Sequence, residues 1–194
     1  MENSQNGQTL AELIVAVAIA GMLAGVVVPA FASLASEAAL KQSVSRVTTL
    51  MTMTREHAMA LQTHCAVRFQ NIDGTWLAGV YEDGDGDGVL VADIAQGIDR
   101  KVRGPEVLFA PHQGALPGFI RGGVRGTDGT WIAADENAVR YGTSLLCSFG
   151  PNGSASPGSL YLHSGDREAL VRTSDSGDWI RILYYDALRQ QWSF

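Results

Sequence analysis

Leu13-Ile14-Val15-Ala16-Val17-Ala18-Ile19-Ala20-Gly21-Met22-Leu23-Ala24-Gly25-Val26-Val27-Val28-Pro29-Ala30-Phe31 is a run of 19 residues without a charged or strongly polar side chain. At about 1.5 Å rise per residue such a helix spans roughly 28 Å, close to the hydrocarbon thickness of a bilayer. A secretory signal has a shorter apolar region, with basic residues before it and a small-residue cleavage site after it. Here Met1 to Gly7 contain no Lys or Arg, and Ser33-Leu34-Ala35-Ser36-Glu37 reads straight on as helix. A buried core helix is the plainer alternative. The length and evenness of the run favour a membrane span.

The helical pattern continues past Ser36. Leu40, Val44, Val47, Met51, Ala58 and Leu61 recur at steps of three, four or seven, with Thr54 filling the gap in the seam. Lys41, Gln42, Ser45, Arg46, Thr49, Thr52 and Glu56 take the other faces. One apolar stripe on an otherwise polar helix packs on a core and leaves the rest wet. No Gly or Pro falls between Ala30 and Thr63, so one helix is expected from about Thr9 to about Thr63. Pro29 lacks an amide hydrogen and crowds the preceding turn, so a kink or a melted turn is expected there.

From Cys65 the period becomes that of strands. Ala66 to Phe69 and Thr75 to Tyr81 flank Asn71-Ile72-Asp73-Gly74, a hairpin turn signal. Val107–Ala110, Arg140–Phe149, Leu160–His163, Glu168–Thr173 and Trp179–Tyr185 are further candidate strands, and the Gly-, Ser- and Pro-rich stretch from Gly150 to Gly158 is loop. Short strands at this spacing predict antiparallel sheets rather than strand–helix–strand units. The expected fold class is α+β: a long N-terminal α-helix, its first half transmembrane, packed against a C-terminal globular domain of antiparallel β-sheets.

The composition agrees with one folded domain plus an appendage: 194 residues, 46% hydrophobic and 18% charged. A formal net charge of -6 argues against broad attraction to nucleic acid or anionic lipid. The two cysteines, Cys65 and Cys147, leave two readings open. In an oxidising compartment a disulfide would close a long loop and contribute about 2–4 kcal/mol; otherwise both are buried free thiols.

Just before the apolar run stands Gly7-Gln8-Thr9-Leu10-Ala11-Glu12-Leu13. A carboxylate entering a membrane helix, with no basic residue among the preceding eleven, costs several kcal/mol if it remains charged and unpaired in lipid. Either Glu12 meets a partner, or it sits in the headgroup layer where the helix dipole favours an anion. The segment from Gly7 to Ile19 resembles the class III signal of type IV pilins and type II secretion pseudopilins: a short leader ending in Gly, a glutamate fifth after the cut, a long apolar run and a later proline. Gly7, Glu12 and Pro29 occupy those places. The resemblance implies cleavage between Gly7 and Gln8 by a prepilin peptidase and N-methylation of Gln8. It also implies that Glu12 pairs with the N-terminal amine of a neighbouring subunit. Two opposite charges buried together offset much of each other's desolvation. The leader departs from the family in being acidic through Glu2, and Gln8 replaces the common Phe.

The resemblance divides the chain into a leader at 1–7, a transmembrane and assembly segment at 8–35, and a periplasmic globular domain at 36–194 that includes the second half of the helix. Ser148-Phe149-Gly150-Pro151-Asn152-Gly153, the strands after it and Gly177-Asp178-Trp179-Ile180-Arg181-Ile182 are similar in order to the minor pseudopilin group called GspH or FimT. That likeness implies a subunit that initiates or caps a type IV pilus or type II secretion pseudopilus. Its partners would be other pilin subunits, bound through the N-terminal helix, prepilin peptidase and the inner membrane, with no cofactor.

Three other features are candidates for chemistry. Asp83-Gly84-Asp85-Gly86-Asp87-Gly88 opens like a calcium loop, with alternate carboxylates able to converge on a hard cation. The glutamate that would complete the loop is absent; Ile94 stands there, with Asp93 beside it. A solvated acidic loop is the alternative, and calcium is the one candidate ion. Some FimT-type pilins bind DNA through C-terminal arginines, for which Arg172, Arg181 and Arg189 are the candidates, although nearby aspartates dilute their charge and nucleic acid is not an expected partner. His57, His64, His112 and His163 show no ligand spacing, and Ser148 lacks the context of a nucleophile elbow, so no catalysis is expected.

Overall fold

The computed structural model describes residues 10–111, 114–120, 122–127, 129–133, 137–174, 179–186 and 189–193. The chain separates into two compact units, Met1–Ala35 and Ser36–Phe194. Helix α1 covers Leu10–Leu61 and contributes to both. It passes through residue 29 as unbroken helix, so the melted turn expected at Pro29 does not form. A proline removes one main-chain bond, and the bonds on either side hold the helix. The side chain of Pro29 lies outside the described residues. At the other end Gln62 adopts a left-handed φ of 54°, and the Thr63 amide donates to the Ala58 carbonyl at 3.2 Å. That reversal stops the helix with a glutamine where glycine is usual.

In the second unit α1 is followed by β1 (Cys65–Ile72), β2 (Thr75–Glu82), a short α2 (Val91–Gln96) and β3 (Arg100–Phe109). Next come β4 (Leu116–Pro117), β5 (Gly123–Arg125), β6 (Trp131–Ala133), β7 (Val139–Arg140) and β8 (Leu146–Phe149). The chain ends in β9 (Gly158–Ser164), β10 (Arg167–Thr173), β11 (Ile180–Asp186) and β12 (Gln191–Ser193). One sheet has the order β3-β2-β1-β8, a larger one β12-β11-β10-β9-β4 with β7 also paired to β9, and β5-β6 form a separate hairpin. Among the described residues every pairing is antiparallel, so the fold is α+β as expected.

The hairpin turn read at Asn71–Gly74 closes on two residues, Asp73 at φ 50° and Gly74 at φ 80°, with the Gly74 amide donating to Asn71 Oδ1 at 2.9 Å. The candidate strand Arg140–Phe149 is instead two strands in different sheets, because the chain reverses through Gly142 at φ 65° and Leu145 at φ 54°. The helical seam forms largely as its spacing predicts: Leu40, Val44, Val47, Met51 and Ala58 are 0–3% exposed and join both sheets in one core with Phe69, Phe149, Leu160 and Val171. Thr54 fits the same stripe by donating its hydroxyl to the Leu50 carbonyl at 2.8 Å. Leu61 departs from the seam and is 49% exposed, because the helix ends there beyond the cover of the sheets.

Polar residues of α1 also hold the sheets. Arg46 donates to the carbonyls of Leu108 at 3.3 Å and Val107 at 3.0 Å, and Arg55 donates to Gly153 at 2.7 Å while its guanidinium lies 5.0 Å from the Trp179 ring centre. A smaller core of Val124, Ile132, Ala138, Tyr161, Leu170 and Leu183 joins the β5–β6 hairpin to the larger sheet.

Candidate functional site

The acidic loop after β2 is organised by its own backbone. Asp83 Oδ1 accepts from the amides of Asp85 at 3.1 Å and Gly86 at 2.7 Å, and Oδ2 accepts from Gly88 at 2.9 Å. Burial pushes the Asp83 carboxyl up, but these donors outweigh it and hold it below the usual aspartate range. Asp99, 3% exposed, accepts from Gly84 at 3.2 Å and Leu90 at 2.8 Å and fastens the loop to the chain beyond α2. Nothing in the sequence around Asp99 marks it; its role appears only once the loop closes. A side chain at Gly84 would overlap the Ile98 carbonyl oxygen, which explains the glycine.

Asp83, Asp85 and Asp87 each place a carboxylate oxygen within 4.8 Å of the others. Asp87 is raised by desolvation and by the Asp85 charge, and Asp93 by desolvation and by Asp85, Asp99 and Asp83. These three converge as the calcium reading requires, but Asp93 feels their charge without joining the trio. Asp83 supplies its oxygens to backbone donors, which leaves Asp85 and Asp87 as the outward carboxylates.

The candidate arginines divide. Arg172 on β10 and Arg181 on β11 stand directly opposite each other, and both line a cavity of about 530 Å³ with Arg125, Thr127, Ser174 and Trp192. Arg189 is not among them: it follows β11 in the turn to β12, where its amide donates to Asp186 Oδ1 at 3.1 Å and its guanidinium pairs with the same carboxylate at 3.7 Å. Arg125 and Arg140 were missed by the sequence reading, since they sit on strands of three and two residues, too short to show a period.

Of the two readings left open for Cys65 and Cys147, the structure has both as buried free thiols. Cys65 pairs with Phe149 and Cys147 with Val67, so the two are diagonal neighbours across β1 and β8. Diagonal residues lie about 7–8 Å apart, beyond ordinary disulfide reach. Burial pushes the Cys65 thiol up to about 11 and the Cys147 thiol to about 12.

In the first unit the pattern is inverted: twelve large apolar side chains from Leu10 to Leu34 are 45–77% exposed. Contiguous apolar exposure on that scale marks a surface that another molecule or a lipid phase covers. Among the described residues no helix is long and apolar enough to cross a membrane; the span expected over Leu13–Phe31 includes residues 24, 26 and 29, whose side chains lie outside the described residues. Glu12 stands in the first turn of α1, exposed, where the helix dipole favours an anion, and it makes an interaction within the chain. Residues 3–28 match the family model described as the prokaryotic N-terminal methylation motif. No curated protein and no solved structure matches the chain.

The N-terminus is type IV prepilin-like. Within this prepilin-like segment, the matched stretch contains Gly7, Gln8 and Glu12 together with most of the apolar run. Gly7 and Gln8 lie outside the described residues, whereas Glu12 opens the exposed apolar helix. The match ends at residue 28, one short of Pro29 and well before the β-sheets, so it speaks for the prepilin-like helix and not for any subgroup.

Proposed function

We propose that the chain is a minor subunit of a type IV pilus or type II secretion pseudopilus, which initiates or caps the filament. Prepilin peptidase removes residues 1–7, Gln8 is methylated, residues 8–35 lie first in the inner membrane and then in the filament core, and residues 36–194 fold in the periplasm. The supporting observation is the methylation motif over residues 3–28, on a helix whose large apolar side chains stand exposed. Removal from water is worth about 25 cal/mol per Å² of apolar surface, so lipid or neighbouring helices cover such a surface in preference to water. Glu12, near the start of that helix, then faces the amino terminus of the next subunit. The pair sets axial register, because an unpaired charge buried in the bundle costs several kcal/mol.

Blocking the cut tests this reading. Gly7→Val is expected to leave the chain at full length in the membrane fraction and absent from sheared filaments. The same variant entering filaments at the wild-type level would refute the proposal.

A further inference from the structure

The outer face of the larger sheet carries a row of arginines that assembly through α1 does not use. Arg140 on β7 stands opposite Ser159 on β9, Ser159 opposite Arg172 on β10, and Arg172 opposite Arg181 on β11. All three arginines point away from the helix, because the alternating residues Val139, Leu160, Val171 and Ile182 belong to the core on the helix side. Strands lie about 4.8 Å apart, so the row extends over roughly 14 Å. Arg125, on β5, adds a fourth guanidinium at the rim of the cavity of about 530 Å³. Like charges directly opposed across strands cost stability. Arg140 and Arg181 also interact within their own chain, and Arg172 donates to Thr127 Oγ1, which fixes its guanidinium against the β5–β6 hairpin.

The same unit carries the complementary patch. Asp85 and Asp87 are exposed beside each other, while Asp83 is held by backbone donors beneath them. Glycines at 84, 86 and 88 leave the loop thin, with carboxylates as the only side chains that project between them. Among the described ion pairs none joins this loop to the arginines of its own chain.

We propose that the arginine row is the docking site for the Asp85–Asp87 loop of a second copy of this chain. Patches of opposite sign attract each other at short range, and planar guanidiniums take carboxylates two bonds at a time. The net charge of -6 works against a long polyanion such as nucleic acid but leaves a short-range carboxylate contact intact. The contact joins two different surfaces of the chain, so it is heterologous rather than two-fold symmetric. Only its setting rests on the filament reading; its chemistry does not.

Charge reversal in the full-length chain, purified in detergent and followed by sedimentation velocity, tests the contact. Wild-type chain is expected to self-associate at low salt and to dissociate as salt rises. Arg172→Glu/Arg181→Glu and Asp85→Lys/Asp87→Lys should each self-associate at least tenfold more weakly, and an equimolar mixture of the reversed loop with the reversed row should recover the association. That recovery also shows that both variants are folded. Unchanged self-association in either variant, or no recovery on mixing, would overturn the proposal. So would salt-sensitive binding of an oligonucleotide that needs Arg172 and Arg181 while self-association is indifferent to them. An unprocessed N-terminus would sink the filament reading and leave this result untouched.

Discussion

Asp83 shows how a side chain recognised for one chemistry is held for another. Its spacing with Asp85 and Asp87 suggests a cation site, and the three carboxylates do converge, yet its oxygens accept three backbone amides of its own loop. Asp83→Ala should therefore lower stability by about 2 kcal/mol in urea titration, since the donors must turn to water or go unmet. Asp87 and Asp93 carry the opposite sign of linkage. Their folded carboxyls are raised above the ordinary 3.8, so the folded state binds their protons more tightly than the unfolded chain does. The resulting disadvantage is full at neutral pH and is lost as pH falls through the raised values to below 3.8. Asp87→Asn/Asp93→Asn is thus expected to be more stable than wild type at pH 7, with the difference closing in acid; a difference that stays constant across that range would contradict the repulsion. The thiols give a third residue-level test. With Cys65 pushed up to about 11 and Cys147 to about 12, and both side chains buried, alkylation at pH 8 should be slow in the native chain and complete in denaturant.

At the scale of elements, the second half of α1 was legible because a 3.6-residue period needs only the chain's own neighbours. Met51, 0% exposed, should cost about 2–5 kcal/mol when replaced by Ala, whereas Leu61→Ala, at 49% exposure, should change thermal stability by less than about 0.5 kcal/mol. The β1–β2 hairpin was legible for the same reason, since Asp73-Gly74 carries its own turn chemistry. Long-range pairing was not. The stretch 140–149 looks like one strand until Gly142 and Leu145 reverse it, and β3 begins in charged residues, Arg100 to Arg103, that read as loop but form an exposed sheet edge. The hairpin β5–β6 has three residues a side and Gly at its start, too little for any period. Arg125 went unseen with it, and Arg140 because the arginine row exists only in the register of four strands.

Over the whole molecule, two rules of burial apply to one helix. From Leu40 to Ala58 it has one buried stripe and polar flanks, which is how a helix serves a globular core. From Leu10 to Leu34 its large apolar side chains are exposed, a state that water does not favour and that a bilayer or a bundle of like helices does. The type IV prepilin-like motif lies over that second kind of surface. Under the proposed function, processing at its start converts a membrane-held chain into a subunit with a free amine for Glu12 to meet. Intact-mass analysis of the protein recovered from cells that contain a prepilin peptidase examines this claim most directly. The account predicts a chain that begins at Gln8 and carries one added methyl group; a chain that still begins at Met1, unmethylated, would contradict it.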